Sequence, residues 1–194
     1  MLKTYRDYNL SVDVIDGLLT PATADGVYKL IYEAFEFKPE ITYKRQTGII
    51  GDSDVIYQAY HSESKRKSSG IMWDDIPVIK KLKEQVEFIT GVVYNICIVQ
   101  LYPTGKIQIK PHRDREMGPG TVICGLSLGA TRVIQFANSS YYVKNKYYDI
   151  PLPAGSLYIM NPPTNDYWSH AILKDLNITE PRMSLTFRTY QPEK

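Results

Sequence analysis

Apolar positions recur along the chain at two different periods, and the change from one to the other falls near Gly91. Before it the spacing is helical. Thr20-Pro21 joins a capping hydroxyl to a proline at the first helical position, which predicts a helix over 20–34 with Val27, Leu30, Ile31 and Ala34 turned inward. A second helix follows Pro77. There Ile79, Leu82, Val86 and Ile89 repeat at helical spacing, Lys80/Glu84 and Lys83/Glu87 are i,i+4 pairs, and Gly91 supplies the stop. The polar stretch 38–69 between the helices has no period and reads as irregular loops facing a substrate.

After Gly91 the period drops to two. Strands are predicted over 93–102, 106–112, 121–128, 132–137, 147–152, 156–160, 168–173 and 182–190. Pro103-Thr104-Gly105-Lys106, Gly129-Ala130 and Pro153-Ala154-Gly155 break the runs. Eight short strands in about 100 residues imply a double-sheet jelly roll or a barrel. The fold class is therefore α+β, mainly β. A length of 194 residues suits a single domain, 1–194, with helices in 1–90 and the strand-rich core in 91–194.

Composition narrows this little. Apolar residues are 43% and charged residues 23%, an ordinary globular balance, and 16 tyrosines favour strands. No run approaches the roughly 20 apolar residues of a membrane span, and Met1 to Asp7 is too polar for a secretory signal. Cys97 and Cys124 lie inside apolar runs and read as buried thiols in a reducing, intracellular setting. Net charge is only +2, so local clusters carry more information. Lys65-Arg66-Lys67 and Lys80-Lys81-Lys83 fit either a solvated face or a nucleic-acid contact.

The chain has three histidines, His61, His112 and His170. His112-Arg113-Asp114 sets an imidazole and a carboxylate two residues apart, on one side of an extended segment. His170 arrives on another strand. Two histidines and a carboxylate with open positions opposite are the ligand set typical of non-haem Fe(II) oxygenases. His-x-Asp by itself is common by chance, so the weight comes from its surroundings.

Those surroundings include Arg182 to Arg188, which alternates strictly. Arg182, Ser184, Thr186 and Arg188 take one face; Met183, Leu185 and Phe187 take the other. The arginines could simply point into water. If their face lines a cavity, two buried cations need an anion, and a dicarboxylate held by arginine forks meets that need. Gln100 and Tyr102 share one face of their strand and could hydrogen-bond the same ligand.

Together these blocks resemble the AlkB family of Fe(II)/2-oxoglutarate dioxygenases. The resemblance rests on Gln100-Leu101-Tyr102-Pro103-Thr104-Gly105, on Pro111-His112-Arg113-Asp114-Arg115-Glu116, and on Leu126 to Arg132 with Phe136. Gly155 to Asn161, Pro163-Thr164-Asn165, Trp168-Ser169-His170 and Arg182 to Arg188 complete it. The Met-Asn-x-Pro-Thr-Asn-x-x-Trp-x-His stretch is similar to the branch that repairs double-stranded DNA. Upstream, Arg45-Gln46, Gly51-Asp52 and Tyr57 resemble that branch's base-recognition loop.

The resemblance implies a jelly-roll (double-stranded β-helix) core with a nucleotide-recognition lid from the first half. It implies that Fe(II) is held by His112, Asp114 and His170, with Asp114 a ligand and not a base. Tyr102 and Arg182, with Gln100 and Ser184 in positions usually filled by asparagine, would hold the distal carboxylate of 2-oxoglutarate. Arg188 would support the end near iron. Arg45, Tyr57 and Glu116 match substrate contacts. Ile50 and Ala59 stand where aromatic residues are usual, and Tyr60 is a possible replacement for the latter.

The implied activity is oxidative demethylation of 1-methyladenine or 3-methylcytosine, releasing formaldehyde, succinate and CO2 from O2 and 2-oxoglutarate. The partner is nucleic acid, DNA ahead of RNA, and the protein is expected to be a monomer in the nucleus or cytoplasm, away from membranes. Two alternatives stand beside this reading. One is hydroxylation of an unmethylated base, an RNA modification or a protein side chain; the other is a nucleic-acid-binding module without turnover.

Overall fold

The alternating segments pair into two antiparallel sheets that face each other. The structure is a computed structural model and describes residues 1–53, 55, 71–115, 117, 118, 120–138 and 146–191. In chain order the elements are β1 (Leu2–Asp7), β2 (Leu10–Ile15), α1 (Pro21–Ala34), β3 (Gln46–Gly51), α2 (Pro77–Thr90), β4 (Ile96–Tyr102) and β5 (Ile109–His112). They continue with β6 (Ile123–Gly129), β7 (Arg132–Asn138), β8 (Lys146–Leu152), β9 (Leu157–Met160), α3 (Thr164–Tyr167), β10 (Ser169–Ile172) and β11 (Arg182–Arg188). The larger sheet runs β1-β2-β9-β6-β11-β4-β3 and the smaller β5-β10-β7-β8. This is the double-sheet jelly roll of the two architectures that the strand pattern allowed. Each of the eight strands expected after Gly91 has its counterpart, with ends shifted by a few residues.

β11 lies between β6 and β4 and shows how the layers are built. Its apolar face, Met183, Leu185 and Phe187, joins Cys97, Val99, Leu101, Cys124, Leu126 and Leu128 beneath the two helices. α1 and α2 cover that layer with Ala24, Val27 and Ile31 and with Ile79, Leu82 and Val86. Burying a side chain of this size stabilises by about 1.5–3 kcal/mol each. The opposite face of the large sheet meets the small one across Ile96, Ile98, Ile123, Ile134, Phe136, Ile150 and Trp168. Both cysteines are free thiols in the helix-covered layer, and burial pushes Cys124 up to about 12.

The helix ends follow their sequence signals. Thr20 Oγ1 accepts from Thr23 N at 3.2 Å, and Gly91 takes φ 69° while its N–H donates to Glu87 O at 2.8 Å. Two side-chain expectations are corrected. Leu30 and Ala34 face solvent, because the stripe that meets the sheet is the narrower Ala24-Val27-Ile31 row. Lys80 pairs with Asp74 at 2.6 Å and not with Glu84, whereas Lys83 and Glu87 do pair, at 2.7 Å. Lys80 and Lys83 thus spend their charge on local carboxylates, which favours the solvated-face reading of that cluster.

The first half holds more strand than its pattern suggested. β1 and β2 form a hairpin ahead of α1 and extend the large sheet through β9. β3 lies inside the stretch read as irregular and pairs with β4 along its length. Its glycines explain both the weak signal and the fit: a Cβ on Gly48 would stand 2.2 Å from the Phe35 ring, and one on Gly51 would stand 2.7 Å from Asn95 O. His61, Ala59, Tyr60 and Lys65-Arg66-Lys67 lie outside the described residues, as does much of the expected lid.

Candidate metal and co-substrate site

β5 is an edge strand of the small sheet, which tolerates Pro111, and its partner is β10. The register sets His112 directly opposite His170, with ring centroids 4.4 Å apart. Just past the end of β5, Asp114 turns back toward both. Its Oδ1 is 3.6 Å from His112 Nε2 and its Oδ2 is 3.8 Å from His170 Nε2. One donor atom from each of the three lies within 4.8 Å of the others, so the group could hold a metal ion.

Asp114 is 3% exposed, a burial that an unpaired carboxylate could not sustain. Burial pushes its carboxyl up, but Arg188, His170 and His112 outweigh it and hold the group below the usual carboxylate range. Arg188 Nη2 is 3.1 Å from Oδ2. His170 moves the other way: burial lowers it to about 4 against the attraction of Asp114, so its ring is neutral near pH 7. A carboxylate and a neutral imidazole are the protonation states that metal ligation requires.

The arginine face of β11 looks into the same cavity. Gln100, Tyr102, Ile109, His112, Ile134, Tyr158, His170, Ile172 and the β11 residues line it. Tyr102 is opposite Arg182 in the β4–β11 register, and its hydroxyl donates to Gln100 Oε1 at 2.9 Å. Arg182 is 1% exposed; its Nε donates to Ser127 Oγ at 2.9 Å, while Nη1 is buried with no hydrogen-bond partner among the described residues. The guanidinium also lies 5.3 Å from the Tyr102 ring centroid, with Arg132 and Arg45 at 5.9 and 5.8 Å. Arg132 is occupied by the carbonyls of Gly105, Ile107 and Leu173.

The donor set and the charge both fit Fe(II) with 2-oxoglutarate. Among the described residues, Arg182 and Arg188 face the single buried carboxylate of Asp114, one cation in excess. A metal dication alone would worsen that excess, and a dianionic co-substrate beside it would offset the added charge and return the site to the single cation. The unsatisfied Nη1 of Arg182 marks where a carboxylate oxygen would be welcome.

Nine of the eleven site residues read from the sequence fall among the described ones. His112, Asp114 and His170 gather together; Gln100, Tyr102, Arg182, Ser184 and Arg188 line the cavity that His112 and His170 also line. Arg45 is placed against Tyr102 rather than beside the three metal-ligating candidates. Tyr57 and Glu116 lie outside the described residues. Two participants went unread. Tyr158 lies in the cavity wall against Gly125, where an added Cβ would come within 2.0 Å of its ring. A glycine isolated in a strand signals such close approach. The other is Asn165, whose side-chain amide bonds both backbone groups of Asp114.

Proteins with related sequences are known. The sequence model described as the 2OG-Fe(II) oxygenase superfamily matches residues 13–188. DNA oxidative demethylase ALKBH2 of Mus musculus is 35% identical over 126 residues, 61% of this chain and 53% of that protein. Alpha-ketoglutarate-dependent dioxygenase alkB homolog 3 of Bos taurus is 33% identical over 194 residues, 91% of this chain and 65% of that protein. The chain therefore spans between about half and two thirds of these relatives' length. Among solved structures, OsALKBH1 superposes with a TM-score of 0.62 at 14% identity, covering 97% of this chain and 100% of that one. A prolyl hydroxylase from Trichoplax adhaerens gives 0.62 at 11%, covering 92% and 83%. At such identities the two structures speak for the fold alone.

Proposed function

The chain belongs to the 2OG-Fe(II) oxygenase superfamily, AlkB-like in its motifs, and on that premise we propose that it oxidatively demethylates N-alkylated bases in DNA. The bases are of the 1-methyladenine and 3-methylcytosine type. One observation carries the reading: the cavity lined by the arginine face of β11 is also lined by His112 and His170, and Asp114 lies against both histidines and against Arg188. The names and identities of the ALKBH2 and alkB homolog 3 relatives support the substrate class.

In this reading His112, Asp114 and His170 hold Fe(II). With 2-oxoglutarate and O2, the bound metal supplies the oxidation that turns an N-methyl group into formaldehyde, with succinate and CO2 as co-products. The chain's own work is placement. Arg182, Tyr102, Gln100 and Ser184 seat the distal carboxylate of the co-substrate, and Arg188 secures Asp114 and the end nearest the metal. Asp114 stays ionised as a ligand and takes no proton. Ile109, Ile134 and Ile172 keep water from the space around the co-substrate. Arg45, Tyr57 and Glu116 contact the substrate, whose target base must leave the helical stack to reach the metal.

The test is formaldehyde release from oligonucleotides carrying 1-methyladenine or 3-methylcytosine, with Fe(II), 2-oxoglutarate and ascorbate, in DNA and RNA arms. Release that disappears in His112→Ala is the expected result. Succinate formed only with unmethylated substrates would overturn the reading.

A further inference from the structure

Several side chains between Met160 and His170 are taken up by partners in the protein itself. Asn161 Nδ2 donates to Asp13 Oδ2 at 2.8 Å. Thr164 Oγ1 accepts from Ser11 N at 2.7 Å and donates to Ser11 O at 3.1 Å. Trp168, fully buried, donates through Nε1 to Tyr8 O at 3.0 Å. Three bonded groups thus fasten the segment to the β1–β2 hairpin, whose strand β2 belongs to the large sheet.

The other side of the segment grips the metal-ligating candidate. Asn165 Oδ1 accepts from Asp114 N at 2.9 Å, and Asn165 Nδ2 donates to Asp114 O at 2.8 Å. One side-chain amide thereby satisfies both backbone groups of Asp114, as a paired strand would, at a point where β5 has ended. Arg113 Nη1 adds a bond to Asp166 O at 2.6 Å. Asp114 needs this help: it stands two residues beyond the opposed His112 and His170, outside the sheet ladder that fixes both of them.

We propose that the segment is a splint between the hairpin and the metal site, and that Asn165 is its positioning residue, setting the aim of the Asp114 carboxylate. The inference rests on Asp114 being a metal ligand. It assigns the Asn-x-Pro-Thr-Asn pattern to the metal centre and not to contact with the nucleic acid.

The test is Mn(II) titration of the metal-free protein, followed by electron paramagnetic resonance, with thermal unfolding recorded on every variant. Asp114→Ala should abolish binding; if it does not, the ligand reading fails and the splint with it. Asn165→Ala should weaken Mn(II) binding by about 10-fold or more, the usual effect of removing a group that orients a ligand. Thr90→Ala, which removes bonds to Val86 O and the Tyr94 hydroxyl outside the segment, should lower the melting temperature and leave Mn(II) affinity unchanged. Asn165→Asp keeps the acceptor and loses the donor, and should fall between the wild type and Asn165→Ala; it also serves should Asn165→Ala fail to fold. Wild-type affinity in the Asn165 variants, beside lost binding in Asp114→Ala, would overturn the splint while sparing the ligand assignment.

Discussion

Arg188 reaches Asp114 across the cavity, with Nη2 3.1 Å from Oδ2 and both residues at least 95% buried. The carboxylate that faces the two histidines thus also answers a cation on the last strand of the large sheet. Replacing Arg188 with methionine leaves that carboxylate buried without its cation. Losing one partner of a buried ion pair costs about 3–5 kcal/mol. Denaturant unfolding of metal-free Arg188→Met should show a loss of that size, and saturating Mn(II) should restore much of it by supplying another cation.

Arg182 behaves in the opposite sense. Its guanidinium is buried, Nη1 has no hydrogen-bond partner among the described residues, and burial lowers its affinity for a proton. Arg182→Met should therefore unfold at or above the wild-type temperature in buffer, since a buried charge without a full partner is often no gain. Addition of 2-oxoglutarate with Mn(II) should raise the wild-type melting temperature and leave the variant's unchanged. A variant that melts lower yet keeps its response to 2-oxoglutarate would contradict this role.

Gly125 and Tyr158 face each other across the β6–β9 register. A methyl at Gly125 would need the ground that the tyrosine ring occupies, 2.0 Å from Cε1. Gly125→Ala should cost about 1–3 kcal/mol of stability through overpacking and should push the ring into the cavity. The second effect is read as a raised KM for 2-oxoglutarate in a succinate assay. Combining it with Tyr158→Leu, which shortens the displaced side chain, should recover most of the stability.

Asp7 joins the two sheets at their edges, receiving the Tyr148 hydroxyl and pairing with Lys146. Hydrogen bonds from Lys146 and Tyr148 lower its carboxyl to about 2, from an ordinary value of 3.8. A depressed carboxyl stabilises the fold fully above its unfolded value and loses that contribution as pH falls through the folded one. Unfolding measured from pH 5 down to pH 2 should therefore show a decline between about 4 and 2 that is flatter in Asp7→Asn.

The sequence was most legible where the inside and the outside of the fold differ sharply. β11 alternates because one face meets helices and the other a polar cavity, so both functions could be read from seven residues. It was least legible where packing supplies what propensity does not. β1 is an exposed edge strand with no apolar period, and β3 carries glycines that propensity disfavours but Phe35 and Asn95 demand. β2 did alternate, with Leu10, Val12 and Val14 buried, and a six-residue run beside a helix signal was too short to stand out. The metal-ligating candidates were found by residue type, yet the support of Asp114 by Asn165 comes from a four-residue helix that no period announces.

The place of β11 between β6 and β4 also fixes an order of assembly. Its neighbours are synthesised before it, and until Arg182 to Arg188 arrives the large sheet lacks the strand that joins them. Affinity for 2-oxoglutarate should thus be absent from nascent chains stalled short of β11 and appear abruptly once that strand has cleared the exit tunnel. Completion of the sheet and the capacity to bind would then be acquired in one event.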